Sequence, residues 1–210
     1  MDKKLTTPKY SLGEEITNAI THGIGSIFAI LAIILLIPKY KSNTLHLICV
    51  IIYCTSLFLL YTVSSIYHAL APNKAKSVFR KLDHCSIFLL IAGTYTPICI
   101  IFLNSTWGLT VLYLVWVAAI IGIIFNSINV AKFEKFSMIC YLAMGWSVII
   151  IAKSLLAVLN SNQLVFLVTG GIFYTIGAII YLMGKKIKYM HSIWHIFVLV
   201  GSVCHFIIFC

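Results

Sequence analysis

Two histidines four residues apart, in His191-Ser-Ile-Trp-His195, open the last long apolar stretch of this chain. On a helix, positions i and i+4 share a face, so both imidazoles can address one metal ion. Ionisable side chains are costly inside a membrane helix, and their presence there points to function. Other polar residues gather at the ends of the neighbouring apolar stretches. Ser64 and His68 close the second, Asp83 and His84 open the third, and Glu14, Glu15, Asn18 and His22 lead into the first. Three His with a carboxylate nearby suit catalytic zinc, which takes three protein ligands and keeps a fourth position for water. A carboxylate beside that water can orient it and move its proton. His68, His191 and His195 are therefore expected to hold one zinc ion, with Asp83 directed at the water. Ser64, one turn before His68, faces the same way and is placed to donate to a substrate carbonyl or oxyanion.

Each of these residues also has a plainer use. H-x-x-x-H lacks the Glu that marks H-E-x-x-H metalloproteases. Asp83 can pair with Arg80 or Lys81, and Glu15 and His22 can cap the first helix or bond to its neighbours. His46, His84 and His205 stand singly and read as interfacial or hydrogen-bonded residues.

The elements that must position these groups are membrane helices. Hydrophobic residues make up 61% of the chain and charged residues 10%, a balance that no soluble core can absorb. Seven apolar stretches, 20–37, 46–68, 84–103, 108–126, 137–158, 164–183 and 192–210, each approach the roughly 20 residues that cross a bilayer as a helix. The expected fold is all-α, a seven-helix transmembrane bundle over 20–210 preceded by a short cytoplasmic arm, 1–19. That arm contains Glu14 and Glu15 and no Ala-x-Ala-like site, so a cleavable signal peptide is not expected.

The net charge of +10 is distributed for topology rather than for nucleic acid. Lys3, Lys4, Lys9, Lys74, Lys76, Arg80, Lys81, Lys132, Lys135, Lys185, Lys186 and Lys188 all fall on one side of the seven stretches, against Lys39 and Lys41 in loops of the other. By the positive-inside rule the N-terminus is cytoplasmic and the C-terminus outside, in a bacterial plasma membrane. That orientation, set by Lys and Arg alone, brings Glu15, His22, His68, Asp83, His191 and His195 into one leaflet. The seven cysteines form no C-x-x-C pair and read as small buried side chains. Pro97 is placed to kink the third helix, and Gly170, Gly171 and Gly177 allow close helix approach in the sixth.

Four segments resemble the hemolysin III family, within the larger group of progestin and adiponectin receptors. They are Glu15-Ile-Thr-Asn18-Ala-Ile-Thr21-His22, Ser64-Ser-Ile-Tyr-His68, Arg80-Lys-Leu-Asp83 continuing to Gly93 and Pro97, and His191-Ser-Ile-Trp-His195 followed by Gly201 and His205-Phe206. The resemblance implies a seven-helix bundle with zinc near the cytoplasmic face. It carries the ligand role onto His68, His191 and His195 and the acidic role beside the water onto Asp83, and leaves Glu15, Asn18 and His22 as surrounding residues. Related receptors and alkaline ceramidases are associated with amide hydrolysis of lipids, so membrane lipids are the expected partners and a lipid amide or ester the expected substrate. Two other readings stand beside this hydrolase. One is a pore-forming cytolysin, as the family's name suggests, although only scattered Ser56, Thr94 and Thr96 offer polar lining. The other is a membrane sensor or homeostasis factor whose zinc is structural.

Overall fold

A computed structural model describes residues 10–183 and 187–210. Lys3, Lys4, Lys9, Lys185 and Lys186 of the charge pattern, and residues 1–9 of the expected arm, lie outside this range. The described residues form helices α1 (Leu12–Tyr40), α2 (Thr44–Ala69), α3 (Lys74–Pro97), α4 (Thr106–Trp146), α5 (Ala152–Val158), α6 (Ser161–Met183) and α7 (Met190–Ile207). A π-helical turn, Ile98–Leu103, extends α3, and a 3-10 turn, Ser147–Ile151, joins α4 to α5. Six of the resulting continuous segments are long and apolar enough to cross a membrane: Leu12–Tyr40, Thr44–Ala69, Lys74–Leu103, Thr106–Val158, Ser161–Met183 and Met190–Ile207. The chain is thus a polytopic helical membrane protein.

α1 starts earlier than its apolar content suggests, because Ser11-Leu-Gly-Glu14 is a capping box. Ser11 Oγ accepts from the Glu14 amide, and Glu14 Oε2 accepts from the Ser11 amide at 2.9 Å. Glu14 and Glu15 in the first turn also suit the positive end of the helix dipole. The buried residues of α1 are Glu14, Asn18, His22, Gly25, Ala29, Ala32 and Leu36, a stripe at spacings of three and four. The stripe is polar for its first three members and small or apolar thereafter, so one helix face builds both the polar end and the packing seam. At Gly25 the Tyr61 ring of α2 occupies the space a side chain would need. On the opposite face Ile16, Ile20, Ile24 and Ile27 are exposed, as lipid contact requires.

The stretches 108–126 and 137–158 were expected as separate helices; the residues between them are also helical except Asn129, which breaks the run with φ −158° and ψ 99°. A straight run of 53 residues would measure about 80 Å, far beyond a hydrocarbon core of about 30 Å. Contacts across Asn129 show how the length is accommodated. Ser137 Oγ donates to Asn126 Oδ1 at 2.7 Å, although eleven residues of straight helix would hold them about 16 Å apart. Tyr141 and Asn126 both donate to the His84 carbonyl, and Phe125 stacks on Phe133. The helix therefore folds back at Asn129. Asn129 Oδ1 caps the returning arm by accepting from the Lys132 amide at 3.1 Å, and Lys81 Nζ caps the arriving arm by donating to the Ser127 carbonyl at 2.6 Å.

Pro97 ends α3 rather than bending it, and the π-helical turn that follows closes at Asn104, whose amide donates to the Cys99 carbonyl from a left-handed conformation. Gly170 is packed against the His205 ring and Gly177 against Trp194 and Phe197, so the glycines of α6 do admit α7 closely. Gly171 faces open space.

Candidate metal centre

Four helix ends meet at one end of the bundle: the starts of α1, α3 and α7 and the end of α2. Polar side chains tie them together. Ser192 Oγ on α7 donates to Asn18 Oδ1 on α1 at 2.5 Å, and the Tyr189 amide before α7 donates to Glu14 Oε1 at 3.0 Å. Lys76 Nζ on α3 donates to Glu15 Oε1 at 2.7 Å, and Glu15 Oε2 contacts His68 Nδ1 on α2 at the same distance.

Within this frame the rings of His68, His191 and His195 form a triangle, with centroids 5.2, 5.2 and 4.7 Å apart. All three are buried, and one ligand atom from each lies within 4.8 Å of the other two. Their hydrogen bonds define which nitrogens are available. A carboxylate oxygen can only accept, so His68 Nδ1 carries the proton it shares with Glu15, and in the neutral imidazole Nε2 is then the nitrogen with the lone pair. Thr21 Oγ1 donates its only proton to a backbone carbonyl of its own helix, Thr17 or Asn18. It must then accept from His195 Nδ1 at 3.2 Å, which leaves the His195 Nε2 lone pair free as well. The Nε2 atoms of His68, His191 and His195 are all buried without a hydrogen-bond partner. Leaving one such group unpaired costs about 1–3 kcal/mol, and a metal ion held among the three rings could satisfy them together. Three neutral imidazoles suit zinc and also other first-row metals.

The surrounding residues differ in how close they come. Ser64 is fully buried one turn before His68, beside Asp83 and without a hydrogen bond of full geometry. Asp83 is buried but does not join the group of mutually close ligand atoms. Lys81, one of its two candidate partners, is turned away to α4. Asn18 Nδ2 lies 3.4 Å from His68 Nδ1. His22 is buried with both ring nitrogens unpartnered, and it stacks on His195 with centroids 3.5 Å apart. Tyr10, just before α1, packs against the triangle, its ring 4.9 Å from that of His191. Burial pushes the Tyr10 phenol well above its ordinary range, so it covers the site as a neutral group.

A cavity of about 350 Å³ starts beside the triangle, where His22, Asp83, Tyr181 and Trp194 line it, and reaches Tyr174 and His205 between α3, the returning arm of α4, α6 and α7. Trp194 and His205, which both line it, are about 16 Å apart along α7. Its intermediate wall is mainly apolar, with Leu90, Ile91, Leu155 and Leu164 among its members. His205, expected to be a hydrogen-bonded rather than a ligating residue, lies 3.3 Å from the Leu167 carbonyl through Nε2.

Residues 10–206 match the family described as "Haemolysin-III related". The chain belongs to that family. Among individual proteins, this haemolysin-III relative is 44% identical to "Hemolysin-3" of Bacillus cereus, over 98% of this chain and 94% of that one. It is 42% identical to the "Hemolysin-3 homolog" of Bacillus subtilis (strain 168), over 94% and 93%. A more distant similarity, 26% identity over 92% of this chain and 82% of the other, links it to the human "Monocyte to macrophage differentiation factor". With its long apolar helices, this member of the family is a multi-pass membrane protein.

Sequence alone does not mark Thr21 or Lys76 as individual site residues. Thr21 was one position of a longer motif, although its place one turn before Gly25 and one residue from His22 puts it near the polar part of the buried stripe. Lys76 was counted with the loop charges, and nothing in its own neighbourhood distinguishes a buried lysine from a solvated one.

Proposed function

We propose that this haemolysin-III protein is a zinc-dependent hydrolase acting on a lipid amide or ester, with seven membrane crossings, a cytoplasmic N-terminus and an external C-terminus. The observation that carries the catalytic reading is a cluster of three buried histidines with unpartnered Nε2 atoms, beside an apolar cavity that His22 and Asp83 line. His68, His191 and His195 would hold the ion, and Glu15 and Thr21 would fix the His68 and His195 tautomers from behind. A zinc ion there supplies Lewis acidity, making water nucleophilic at neutral pH and polarising a carbonyl.

The remaining steps fall to the chain's own groups. The cavity takes an acyl chain along its apolar wall and brings the carbonyl to the end where Asp83 and His22 lie. Asp83 accepts a proton from the attacking water and returns it to the departing nitrogen or oxygen. Ser64 Oγ, with no full hydrogen bond of its own, donates to the carbonyl oxygen as charge develops there. His22, with both nitrogens unpaired, contributes a polar contact to the occupant.

The sevenfold topology draws support from the reversal at Asn129, which divides the 53-residue segment into two arms of crossing length, and from the one-sided Lys and Arg distribution. A membrane-lytic alternative rests on the relatives' name. It would need polar side chains along a conducting path, whereas Ser56, Thr94 and Thr96 are bonded to carbonyls of their own helices. The test is incubation of detergent-purified protein with fatty-acyl amides and esters, followed by mass spectrometry of released fatty acid. Release that stops on chelation and returns with zinc supports the hydrolase. Bilayer conductance without hydrolysis rejects it in favour of the pore.

A further inference from the structure

Lys76 stands apart from the other basic residues of its loop and helix start. It is only 3% exposed, and its ammonium group makes two hydrogen bonds and lies over an aromatic ring. One N–H donates to Glu15 Oε1 at 2.7 Å, and one to the Leu70 carbonyl at 2.9 Å, where the C-terminal end of α2 leaves acceptors unfilled. Nζ also lies over the Tyr67 ring, 5.1 Å from its centroid. A buried ammonium group is expensive unless paired and fully hydrogen-bonded, so this arrangement costs stability that a surface lysine would not.

The ion pair also has a direction. Glu15 uses one carboxylate oxygen for Lys76 and the other for His68 Nδ1. A carboxylate held from one side presents its second oxygen in a fixed orientation, which fixes both the rotation and the tautomer of His68. Lys76 on α3, Glu15 on α1 and His68 on α2 thereby lock three helices around one ring nitrogen. Without the ammonium group, Glu15 would carry an unopposed charge and be free to rotate away from His68 or toward the ion itself.

We propose that Lys76 is a positioning residue for the metal centre, acting through Glu15 to hold His68 with its Nε2 lone pair toward the ion. The inference rests on the metal-site reading above. Its test uses full-length protein in detergent, with zinc affinity measured by competition against a chromophoric chelator and the visible spectrum recorded after cobalt substitution. Lys76→Met lowers zinc affinity by about 10- to 100-fold, the usual effect of losing a group behind a ligand, and alters the cobalt bands. Lys76→Gln keeps a donor for the Leu70 carbonyl and removes the charge, so it shows the same loss if Lys76→Met does not fold. Glu15→Gln weakens binding comparably. Because Lys76 acts only through Glu15, the double variant Lys76→Gln, Glu15→Gln loses no more than Glu15→Gln alone.

Affinity within about twofold of wild type in a folded Lys76 variant, or losses that add in the double variant, overturn the proposal while leaving the metal site standing. Folded wild type that binds neither zinc nor cobalt overturns the site reading itself, and this role with it.

Discussion

Thr21→Val tests how the His195 ligand is prepared. Valine keeps the shape of threonine and has a similar helix propensity, so α1 should remain intact. The hydroxyl makes two kinds of bond: it donates to the Thr17 or Asn18 carbonyl within its helix and accepts from His195 Nδ1 at 3.2 Å. The carbonyls retain their intrahelical partners, so the loss falls mainly on His195. In the metal-free variant the imidazole can move its proton to Nε2, into the site where the other two histidines present lone pairs. In the metal-bound form Nε2 is committed, and Nδ1–H is left facing a methyl group in a buried site. That costs about 1–3 kcal/mol, or roughly 5- to 150-fold in metal affinity. Chelator competition at fixed pH measures it directly, with thermal unfolding of the metal-free protein as the control for fold. Thr21→Ser, which restores the hydroxyl, should bind like wild type. A folded Thr21→Val protein with affinity within about twofold of wild type would refute the tautomer argument.

Asp83→Asn should retain metal and lose at least about 100-fold in lipid hydrolysis, because the amide cannot take the proton from water. Loss of metal instead would make Asp83 a ligand. For the proposed topology, in a Cys210→Ser background, Ser42→Cys should react with a membrane-impermeant maleimide in intact cells. Lys132→Cys, just past the reversal at Asn129, should react only after lysis; the opposite pattern inverts the orientation.

The parts of this protein that could be read from its sequence are those governed by local periodicity. His191 and His195 share a face because they are four residues apart on one helix, and Ser64 and His68 share one for the same reason. The helical membrane class followed from apolar runs of spanning length. The reversal at Asn129 falls in the gap between the stretches 108–126 and 137–158, but its exact residue is harder to place, since its flanks remain helical up to the turn. Its signals are an N-cap asparagine and a distant lysine, and Lys81 lies 46 residues from the carbonyl it caps. The early start of α1 was written in Ser11 and Glu14, but apolar content alone moves the boundary inward. Lys76 illustrates the deeper limit. Whether a lysine is solvated or buried against a carboxylate depends on which helix ends meet, and Glu15 is 61 residues away.

The central claim is that His68, His191 and His195 hold a metal ion. Elemental mass spectrometry of detergent-purified wild type beside a His191→Ala, His195→Ala double variant tests it most directly. Wild type should carry about one zinc per chain, as a three-histidine site would hold, and a variant that still folds into the membrane should carry none. Folded wild type without metal, or a double variant that keeps it in full, would contradict the account.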